Sequence, residues 1–459
     1  EEIRMLHEKL AFDALWIDMN EPANFNTNLD PASLNCPDNR LDSPPYPTKT
    51  TSLSNNLSGR ISDKTICMST VHTDRANNYT HYDVHSLYGY SETVATYEAL
   101  QSIMPGVRPV VLSRSTFPGS GRYAVHWLGD NAATWEQMRM SIIGMIEFNI
   151  FGIPMVGADI CGFMLPTTEE LCARWMQLGA FYPFSRNHNS IGEPDQDPAV
   201  WPKVAEISAD VLKLRYKFLP TLYTIFHDAH TYGSSVIRPL FNVFPGDLQS
   251  RGVDDQFLWG DKLMIAPVLE EGAVSRRVYF PPGVWYVLES GVLRATGPIT
   301  ALVLAPLEQI PVYVRGGSVL PFQEPALTTQ QSRLNDFGLL VALDSHGMAF
   351  GQVFWDDGEG DHEIEAGTFL ADVLFAIDKL TVTVQSDGGA ADGINLETLK
   401  ILGFLVPLTA ISVNGEATQD YTYHEFLGIL TLNLNLPLNQ PLTILFSYLP
   451  PADSYDSIL

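Results

Sequence analysis

Strand-like and helix-like segments alternate along roughly the first 235 residues of this chain, and this alternation restricts the possible folds more than any other feature. Short apolar runs typical of buried strands are separated by longer stretches with helical spacing. The strand candidates are 14–18, 109–113, 124–128, 153–158 and 181–186, and the helix candidates are 2–10, 134–150, 167–179 and 203–230. Such alternation predicts a parallel sheet, either part of a (β/α)8 barrel or an open doubly wound sheet.

Local signals support several of these helices. Thr134 with Gln137, and Thr167 with Glu170, have the spacing of a capping box at a helix start. Pro220 lies inside the last helical stretch, and a proline there removes a backbone donor and clashes with the preceding turn. We therefore expect that stretch to be kinked or broken at Pro220.

Polar side chains follow every strand candidate, which favours a barrel with a functional site. They are Asp18, Arg114, Asp130, Asp159, and Asn187 with His188. In a barrel of parallel strands, functional residues collect at the carboxyl ends of the strands. No G-x-G-x-x-G follows a strand candidate, which weighs against a dinucleotide-binding sheet.

The remaining sequence divides by composition. Residues 30–82 are rich in Asn, Ser, Thr and Pro and interrupt the alternation as a long inserted loop. After about residue 235, short β-rich runs are separated by Gly, Pro and Asp. We predict five βα units over 1–235, a proximal β domain over 236–322 and a distal β-sandwich over 323–459.

Charge and cysteine content restrict the partners and the compartment. The net charge of −26 argues against nucleic-acid and anionic-membrane partners, because both need a positive face. No uninterrupted apolar run is long enough to span a membrane. Four cysteines and two sequons, at Asn56 and Asn78, favour a secretory route with N-glycosylation at both asparagines.

Two aspartates suggest a specific chemistry. Asp18 in WIDMNEP and Asp130 in HWLGDN end different strands of the predicted barrel, each beside a tryptophan, Trp16 or Trp127. Glycoside hydrolysis uses two carboxyl groups, one at the anomeric centre and one that protonates the leaving oxygen. The alternative is that both aspartates are only helix caps or partners in loop salt bridges.

Four motifs in this order, WIDMNEP, RSTFPGSGRYAVHWLGDN, VGADICGF and YPFSRNHN, resemble those of glycoside hydrolase family 31, in its lysosomal and digestive α-glucosidase branch. The resemblance extends to FWDDGEGD in the β-rich part and covers essentially the whole chain. It implies the C-terminal portion of a (β/α)8 TIM barrel, followed by two all-β, sandwich-like domains. It also implies that Asp18 is the nucleophile and Asp130 the acid/base.

The same resemblance assigns substrate-binding roles. Arg114 is expected to contact the nucleophile and a sugar hydroxyl, while Asp159 and His188 bind glucose hydroxyls. An apolar wall is expected from Trp16, Ile17, Met19, Trp127 and Phe163. Five of these residues also have a structural interpretation, His188 as a satisfied structural histidine, Arg114 as an ion-pair partner, and Ile17, Met19 and Phe163 as core. Glu21, by its position three residues past Asp18, is expected to orient the loop after the nucleophile, with a helix-start carboxylate beside Pro22 as the alternative.

The resemblance further implies two disulfides, Cys36–Cys67 closing the inserted loop and Cys161–Cys172 beside the site, and no cofactor or metal. Family members carry an N-terminal β domain and further barrel strands before W-I-D-M, and only about 13 residues precede that motif here. We therefore expect an N-terminal chain of the same enzyme as a partner, separated by processing, with a truncated chain as the alternative.

The expected activity is that of a retaining exo-α-glucosidase in an acidic lysosomal or extracellular setting. It would act on α-1,4 and also α-1,6 links of maltose, malto-oligosaccharides or glycogen. One alternative is a catalytically silent carbohydrate-binding protein on the same fold. Others are a transglucosylating enzyme or a glucosidase that trims protein-linked glycans, although trimming enzymes of the family tend to read W-N-D-M where Ile17 stands here.

Overall fold

A computed structural model describes residues 1–46, 59–74, 76–361 and 367–448 of the chain. The chain forms two compact units, Glu1–Gly129 with Phe151–Met155, and Asp130–Ile150 with Val156–Leu459. Within the described residues, no helix combines the length and apolar character needed to cross a membrane.

The first unit contains the first predicted βα segments. Its elements are α1 Glu2–His7, β1 Ala14–Ile17, β2 Val71–Thr73, β3 Asn78–Thr80, α2 His81–Val84, α3 Tyr88–Ile103, β4 Val110–Ser113 and β5 Val125–Trp127. Strands β1, β4 and β5 pair in parallel, with Ile17 opposite Ser113 and Ser113 opposite His126. Three strand candidates therefore form strands, and their carboxyl ends share one edge.

The inserted loop of this unit is held by a disulfide and a buried carboxylate. Cys36 is bonded to Cys67, as expected. Asp42 is fully buried and accepts hydrogen bonds from the Met68 backbone N–H and from the Ser69 hydroxyl. Because a buried carboxylate is stable only when it is hydrogen-bonded or paired, these contacts fix the segment around Cys67.

The second unit begins with α4 Trp135–Ile150, β6 Val156–Gly157, β7 Asp159–Ile160, α5 Glu169–Gly179, β8 Arg186–Asn187, α6 Pro202–Lys217 and α7 Leu219–Tyr232. The expected break is present, because α6 ends before Phe218 and Pro220 lies in the first turn of α7. The start of α5 differs from the prediction, since Thr168 rather than Thr167 caps it by accepting a hydrogen bond from the Leu171 N–H.

The strand predicted over 181–186 is largely absent. Only its last residue, Arg186, is in β8, which pairs in parallel with β7. The carbonyls of Ala180, Tyr182 and Pro183 instead accept hydrogen bonds from the Arg215 guanidinium. This apolar segment is buried as a turn whose acceptors are satisfied by a side chain of α6.

The rest of the second unit is built from two sheets. The six-stranded sheet has the order β13-β12-β14-β11-β10-β9, and its strands are β9 Ile237–Pro239, β10 Phe257–Trp259, β11 Leu263–Ile265, β12 Ser275–Val287, β13 Leu293–Leu304 and β14 Val312–Arg315. The short helix α8 Leu240–Val243 directly follows β9. All of its paired strands run antiparallel. Its buried face includes Met264, Phe280 and Trp285.

The eleven-stranded sheet forms the distal part. Its strands are β15 Ser318–Gln323, β16 Phe337–Ala342, β17 Ala349–Asp356, β18 Thr368–Ala376, β19 Lys379–Asp387, β20 Asn395–Leu402, β21 Leu408–Val413, β22 Glu416–Thr418, β23 Tyr421–His424, β24 Ile429–Pro437 and β25 Leu442–Tyr448, and the short helix α9 Thr329–Ser332 lies between β15 and β16. The order is β22-β21-β25-β19-β18-β17-β15-β16-β20-β24-β23. Alternating residues of these strands bury one apolar core, with Val373, Leu399 and Ile444 fully enclosed.

A buried arginine joins α5 to the segments that precede and follow the β12–β13 hairpin. Arg174 is 1% exposed. Its guanidinium donates to the carbonyls of Ala273, Ala305, Pro306 and Gln309 at 2.8–3.1 Å. These acceptors belong to loops rather than to strand ladders, so the side chain supplies donors that the backbone does not.

We expect Arg174→Met to lower the free energy of unfolding by at least about 3 kcal/mol, because four buried carbonyls lose their donors at once. Urea unfolding followed by tryptophan fluorescence measures the loss. The matched control is Arg277→Met, which removes an exposed arginine of β12. Equal stabilities of the two variants would contradict a clamping role for Arg174.

Candidate functional site

The turn after β1 presents Asp18. β1 ends at Ile17, and the Asp18 side chain is 49% exposed. Met19 follows with a left-handed backbone, φ +59°, which L-residues with large side chains rarely adopt. The Met19 N–H donates to the Asp18 carboxylate at 2.7 Å. The turn thus costs backbone strain, and such strain is common where a side chain is held for function.

An arginine from the next strand lies beside this carboxylate. Arg114 directly follows β4, and its Nη1 lies 3.4 Å from Oδ1 of Asp18. Its Nε and Nη2 donate to the two carboxylate oxygens of Glu21 at 2.8 and 3.0 Å. Glu21 therefore fixes the guanidinium through a bidentate pair, and one further nitrogen is left to face Asp18.

Asn20 connects the ends of β1 and β4, a role that the sequence alone did not reveal. It is 3% exposed, and its amide donates to the Ser113 hydroxyl and accepts from the Ser115 N–H, both at 2.8 Å. Gly89 of α3 packs so closely here that a Cβ on it would lie 2.7 Å from the Asn20 carbonyl. The residues around Asp18 are thus held by buried polar contacts and by tight packing.

The first unit also contributes an aromatic pair and a buried histidine to the candidate site. Trp16 and Trp127 meet edge to face with ring centroids 4.6 Å apart, and Trp127 is 3% exposed. His126, which precedes Trp127, is buried and donates from Nδ1 to the Ser113 carbonyl at 2.9 Å. Since a carbonyl can only accept, this contact requires the proton on Nδ1. Ile17 is half-buried, whereas Met19 is exposed.

The burial of His126 predicts a loss of stability in acid. Burial lowers the pKa of His126 to about 4, whereas an unfolded histidine has a pKa near 6.5. Between about pH 4 and pH 6.5, the unfolded chain therefore binds a proton at His126 that the folded chain does not. The contribution of neutral His126 to the free energy of unfolding is present above about pH 6.5 and is lost as the pH falls towards 4. Between about pH 7 and pH 5, we expect the free energy of unfolding to fall by about 2 kcal/mol from this residue.

Urea unfolding at the two pH values measures this effect, and His126→Gln should flatten the dependence. The control is His346→Gln, which changes an exposed histidine of the distal sheet and should leave the slope as in the unmodified chain. An unchanged slope in His126→Gln would contradict the assignment.

In the second unit, Asn131 organises the residues around Asp130. Asp130 is exposed, and the adjacent Asn131 is 7% exposed. The Asn131 amide donates to the Asp159 carbonyl at 2.9 Å and accepts from the Phe163 N–H at 2.8 Å. Gly162, at φ +93°, lies against Ala133, where a Cβ would come within 2.4 Å of its Cα. The segments that carry three predicted site residues are therefore joined at Asn131.

Asp159 begins β7, and His188 directly follows the paired parallel strand β8. Asp159 is 1% exposed, and its Oδ1 accepts from the Arg186 guanidinium at 3.0 Å. The His188 ring lies 5.3 Å from the Phe163 ring. Burial and the Arg186 charge lower the pKa of His188, while Asp130 opposes this shift. These directions favour a neutral imidazole, which can both donate and accept hydrogen bonds.

The two units divide the predicted site residues. The first holds Trp16, Ile17, Asp18, Met19, Arg114 and Trp127, and the second holds Asp130, Asp159, Phe163 and His188. Within the second unit, Cys161 is bonded to Cys172, as expected. Asn78 is exposed on β3, as an acceptor of N-glycosylation must be, and Asn56 lies outside the described residues.

Comparisons with known proteins identify the family of this chain. A model described as the glycosyl hydrolases family 31 TIM-barrel domain matches residues 1–225, and one described as the glycosyl hydrolase family 31 C-terminal domain matches residues 233–320. Human intestinal sucrase-isomaltase is 44% identical over 95% of this chain and 24% of its own length. Bovine lysosomal alpha-glucosidase is 40% identical over 96% of this chain and 47% of its own length.

A solved structure shares the fold of this chain. A crystal structure of glucosidase II alpha subunit superposes with a TM-score of 0.79 at 27% identity, covering 94% of this chain and 46% of the other. The chain thus spans less than half the length of these relatives.

Proposed function

Because this chain belongs to glycoside hydrolase family 31, we propose that it carries the catalytic carboxyl groups of a retaining exo-α-glucosidase. The reaction releases α-glucose from the non-reducing end of maltose, malto-oligosaccharides or glycogen, at α-1,4 and also α-1,6 links. One observation carries the proposal, namely the exposed Asp18 carboxylate beside the Arg114 guanidinium at the carboxyl end of β1. The names of the relatives, sucrase-isomaltase and lysosomal alpha-glucosidase, support the substrate class.

The proposed mechanism is a double displacement. The Asp18 carboxylate attacks C1 of the terminal glucose while Asp130 donates its proton to the glycosidic oxygen, so that the C1–O bond breaks and the leaving sugar departs as an alcohol. The Asp130 carboxylate then takes a proton from water, whose oxygen attacks C1 and releases Asp18 as a carboxylate. Two inversions at C1 leave the product in the α configuration.

The neighbouring residues have distinct parts in this proposal. Arg114 pairs with the Asp18 carboxylate through Nη1, while Glu21 binds its Nε and Nη2, and Arg114 also binds a sugar hydroxyl. Asp159 and His188 bind glucose hydroxyls. The apolar wall is formed by Trp16, Ile17, Met19, Trp127 and Phe163, whose faces suit the C–H surfaces of a sugar.

The setting of the chain is also a proposal. We expect an N-terminal chain of the same enzyme as a partner, and a secretory route to a lysosomal or extracellular, acidic compartment. Two disulfides support that route, because disulfides persist in oxidising compartments. The division at 235 and 322 stays a prediction, and β15, which pairs with distal strands, runs across the second boundary.

Proton NMR of maltose turnover tests the proposal, using natively purified enzyme with any chain that co-purifies. α-Glucose that appears before mutarotation is the expected result, and parallel turnover of isomaltose tests the α-1,6 link. Early β-glucose would contradict the double displacement. Absence of turnover in the complete enzyme would instead support a catalytically silent carbohydrate-binding protein.

A further inference from the structure

A buried glutamine, Gln196, joins β7, which begins at Asp159, to the end of β8, which His188 directly follows. Gln196 is 4% exposed. Its amide nitrogen lies within hydrogen-bonding distance of three acceptors, the Ile160 carbonyl at 3.2 Å, the Asn187 side-chain oxygen at 3.0 Å and the His188 carbonyl at 3.0 Å, so one of its two hydrogens is shared between two of them. One side chain therefore contacts β7, β8 and the first residue after β8 at the same time.

The contact is reciprocal, which makes the segment from 187 to 196 a closed loop. The Asn187 amide donates back to the Gln196 carbonyl at 3.1 Å. On the other side of the loop, the Ser190 N–H donates to the Phe163 carbonyl at 2.8 Å. His188 thus lies on a loop whose two ends are joined by hydrogen bonds between Asn187 and Gln196. The middle of the loop is bonded to the Phe163 carbonyl.

This loop also borders an open space. A cavity of about 320 Å³ is lined by Asn187, His188, Asn189, Asp195, Gln196 and Asp197, among others. Gln196 is the buried member of that wall, whereas Asp195 and Asp197 on either side of it are exposed. The glutamine side chain therefore points into the protein, where its donors meet backbone and amide acceptors rather than solvent.

We propose that Gln196 is a positioning residue for the hydrolysis of α-glucosides, and that it acts by fixing His188 and β7, the two-residue strand that begins at Asp159. The inference rests on the proposed function for its kinetic consequence. Its structural part stands on the three hydrogen bonds alone. Gln196 does not touch the reacting atoms in this role, so its loss should shift the placement of His188 rather than remove a chemical group.

The size of the effect follows from the geometry of catalysis. A displacement of about 1 Å in a substrate-positioning group lowers the rate by up to about 10²-fold. Gln196→Met keeps the length and approximate volume of the side chain and removes both donor hydrogens. We expect kcat/KM for maltose to fall by up to about 10²-fold in this variant.

A double-mutant cycle with His188→Ala separates positioning from general damage. If Gln196 acts through His188, Gln196→Met should cost far less in the His188→Ala background than in the unmodified enzyme. The matched control is Gln256→Met, because Gln256 is also buried at 1% exposure and exchanges two hydrogen bonds with the Tyr279 backbone. Any loss of activity in that control should be unaffected by His188→Ala.

A readout without substrate completes the test. In enzyme labelled with ¹³C at histidine Cε1, the His188 signal is assigned by its absence in His188→Ala. Gln196→Met should move this signal, whereas Gln256→Met should leave it in place. An unmoved signal together with multiplicative losses in the cycle would overturn the inference.

The two arms also distinguish failure of this inference from failure of the proposed function. If the complete enzyme hydrolyses no α-glucoside, the proposed function fails, and the NMR arm still decides whether Gln196 holds His188. If Gln196→Met then moves the His188 signal, Gln196 positions His188 but not for the hydrolysis of α-glucosides. If the signal does not move, both the positioning role and the proposed function are wrong.

Discussion

Replacing Asp18 with alanine in the complete enzyme should lower kcat for maltose by about 10⁴-fold or more, because the variant lacks the group that forms the covalent intermediate. Azide can enter the space left by the carboxylate and attack C1 of α-glucosyl fluoride from the same side as Asp18. One displacement replaces two, so the product should be β-glucosyl azide. Product analysis by NMR measures the configuration directly.

Asp18→Asn is the companion variant, because the amide keeps the shape of the side chain and its contact with the Met19 N–H through the remaining oxygen. It should be as inactive as Asp18→Ala but not rescued, since the site stays filled. Asp13→Asn, which changes an exposed aspartate just before β1, is the control and should retain full activity. Formation of α-glucosyl azide by Asp18→Ala would exclude Asp18 as the nucleophile.

The strand ends could be predicted from sequence because they depend on local patterns. Short apolar runs followed by polar residues placed Asp18 after β1 and Arg114 after β4, and the structure has both strands within about a residue of the predicted bounds. The family resemblance is confirmed by matches along the chain, and so is the fold of a TIM-barrel portion followed by β-sheet domains. The disulfides followed from the resemblance and not from spacing alone.

The buried amides could not be predicted, because their partners are distant in sequence. Asn20 bonds to Ser113 and Ser115, more than 90 positions away, and Asn131 bonds to residues about 30 positions away. Gln196 is nine positions from Asn187, but nothing in its immediate sequence indicates burial. Hydrogen bonds of this kind exist only once the strands are adjacent, so no local pattern carries them.

Two local predictions were wrong, each for its own physical reason. Thr167 and Thr168 both suit a helix cap, and the spacing to Glu170 favoured the wrong one, because either hydroxyl can approach the first turn. The apolar run starting at Phe181 has the composition of a strand, yet the carbonyls in and beside it accept hydrogen bonds from the Arg215 guanidinium instead of from a neighbouring strand. Tertiary donors can thus replace a strand ladder, which propensity does not anticipate.

Loss of Asp130, unlike loss of Asp18, should leave the first step on a substrate with a good leaving group largely intact. Asp130→Ala should lower kcat/KM for maltose by about 10²- to 10⁴-fold, the usual contribution of a general acid. α-Glucosyl fluoride should be affected far less in the first step, because fluoride leaves without needing a proton. The glucosyl-enzyme should then accumulate, since no general base activates water. A burst of fluoride release followed by slow turnover measures this change in the limiting step.

Azide again gives a stereochemical test, and its outcome should be opposite to that for Asp18. In Asp130→Ala, azide attacks the glucosyl-enzyme from the face that water uses, so the product should be α-glucosyl azide. Asp210→Asn, which changes an exposed aspartate of α6, is the control and should show neither the burst nor the azide product. β-Glucosyl azide from Asp130→Ala, or equal losses on maltose and the fluoride, would exclude Asp130 as the acid/base. Opposite anomers from the two alanine variants can arise only if the two carboxyl groups act on opposite faces of one sugar ring, which is the chemical content of the double displacement.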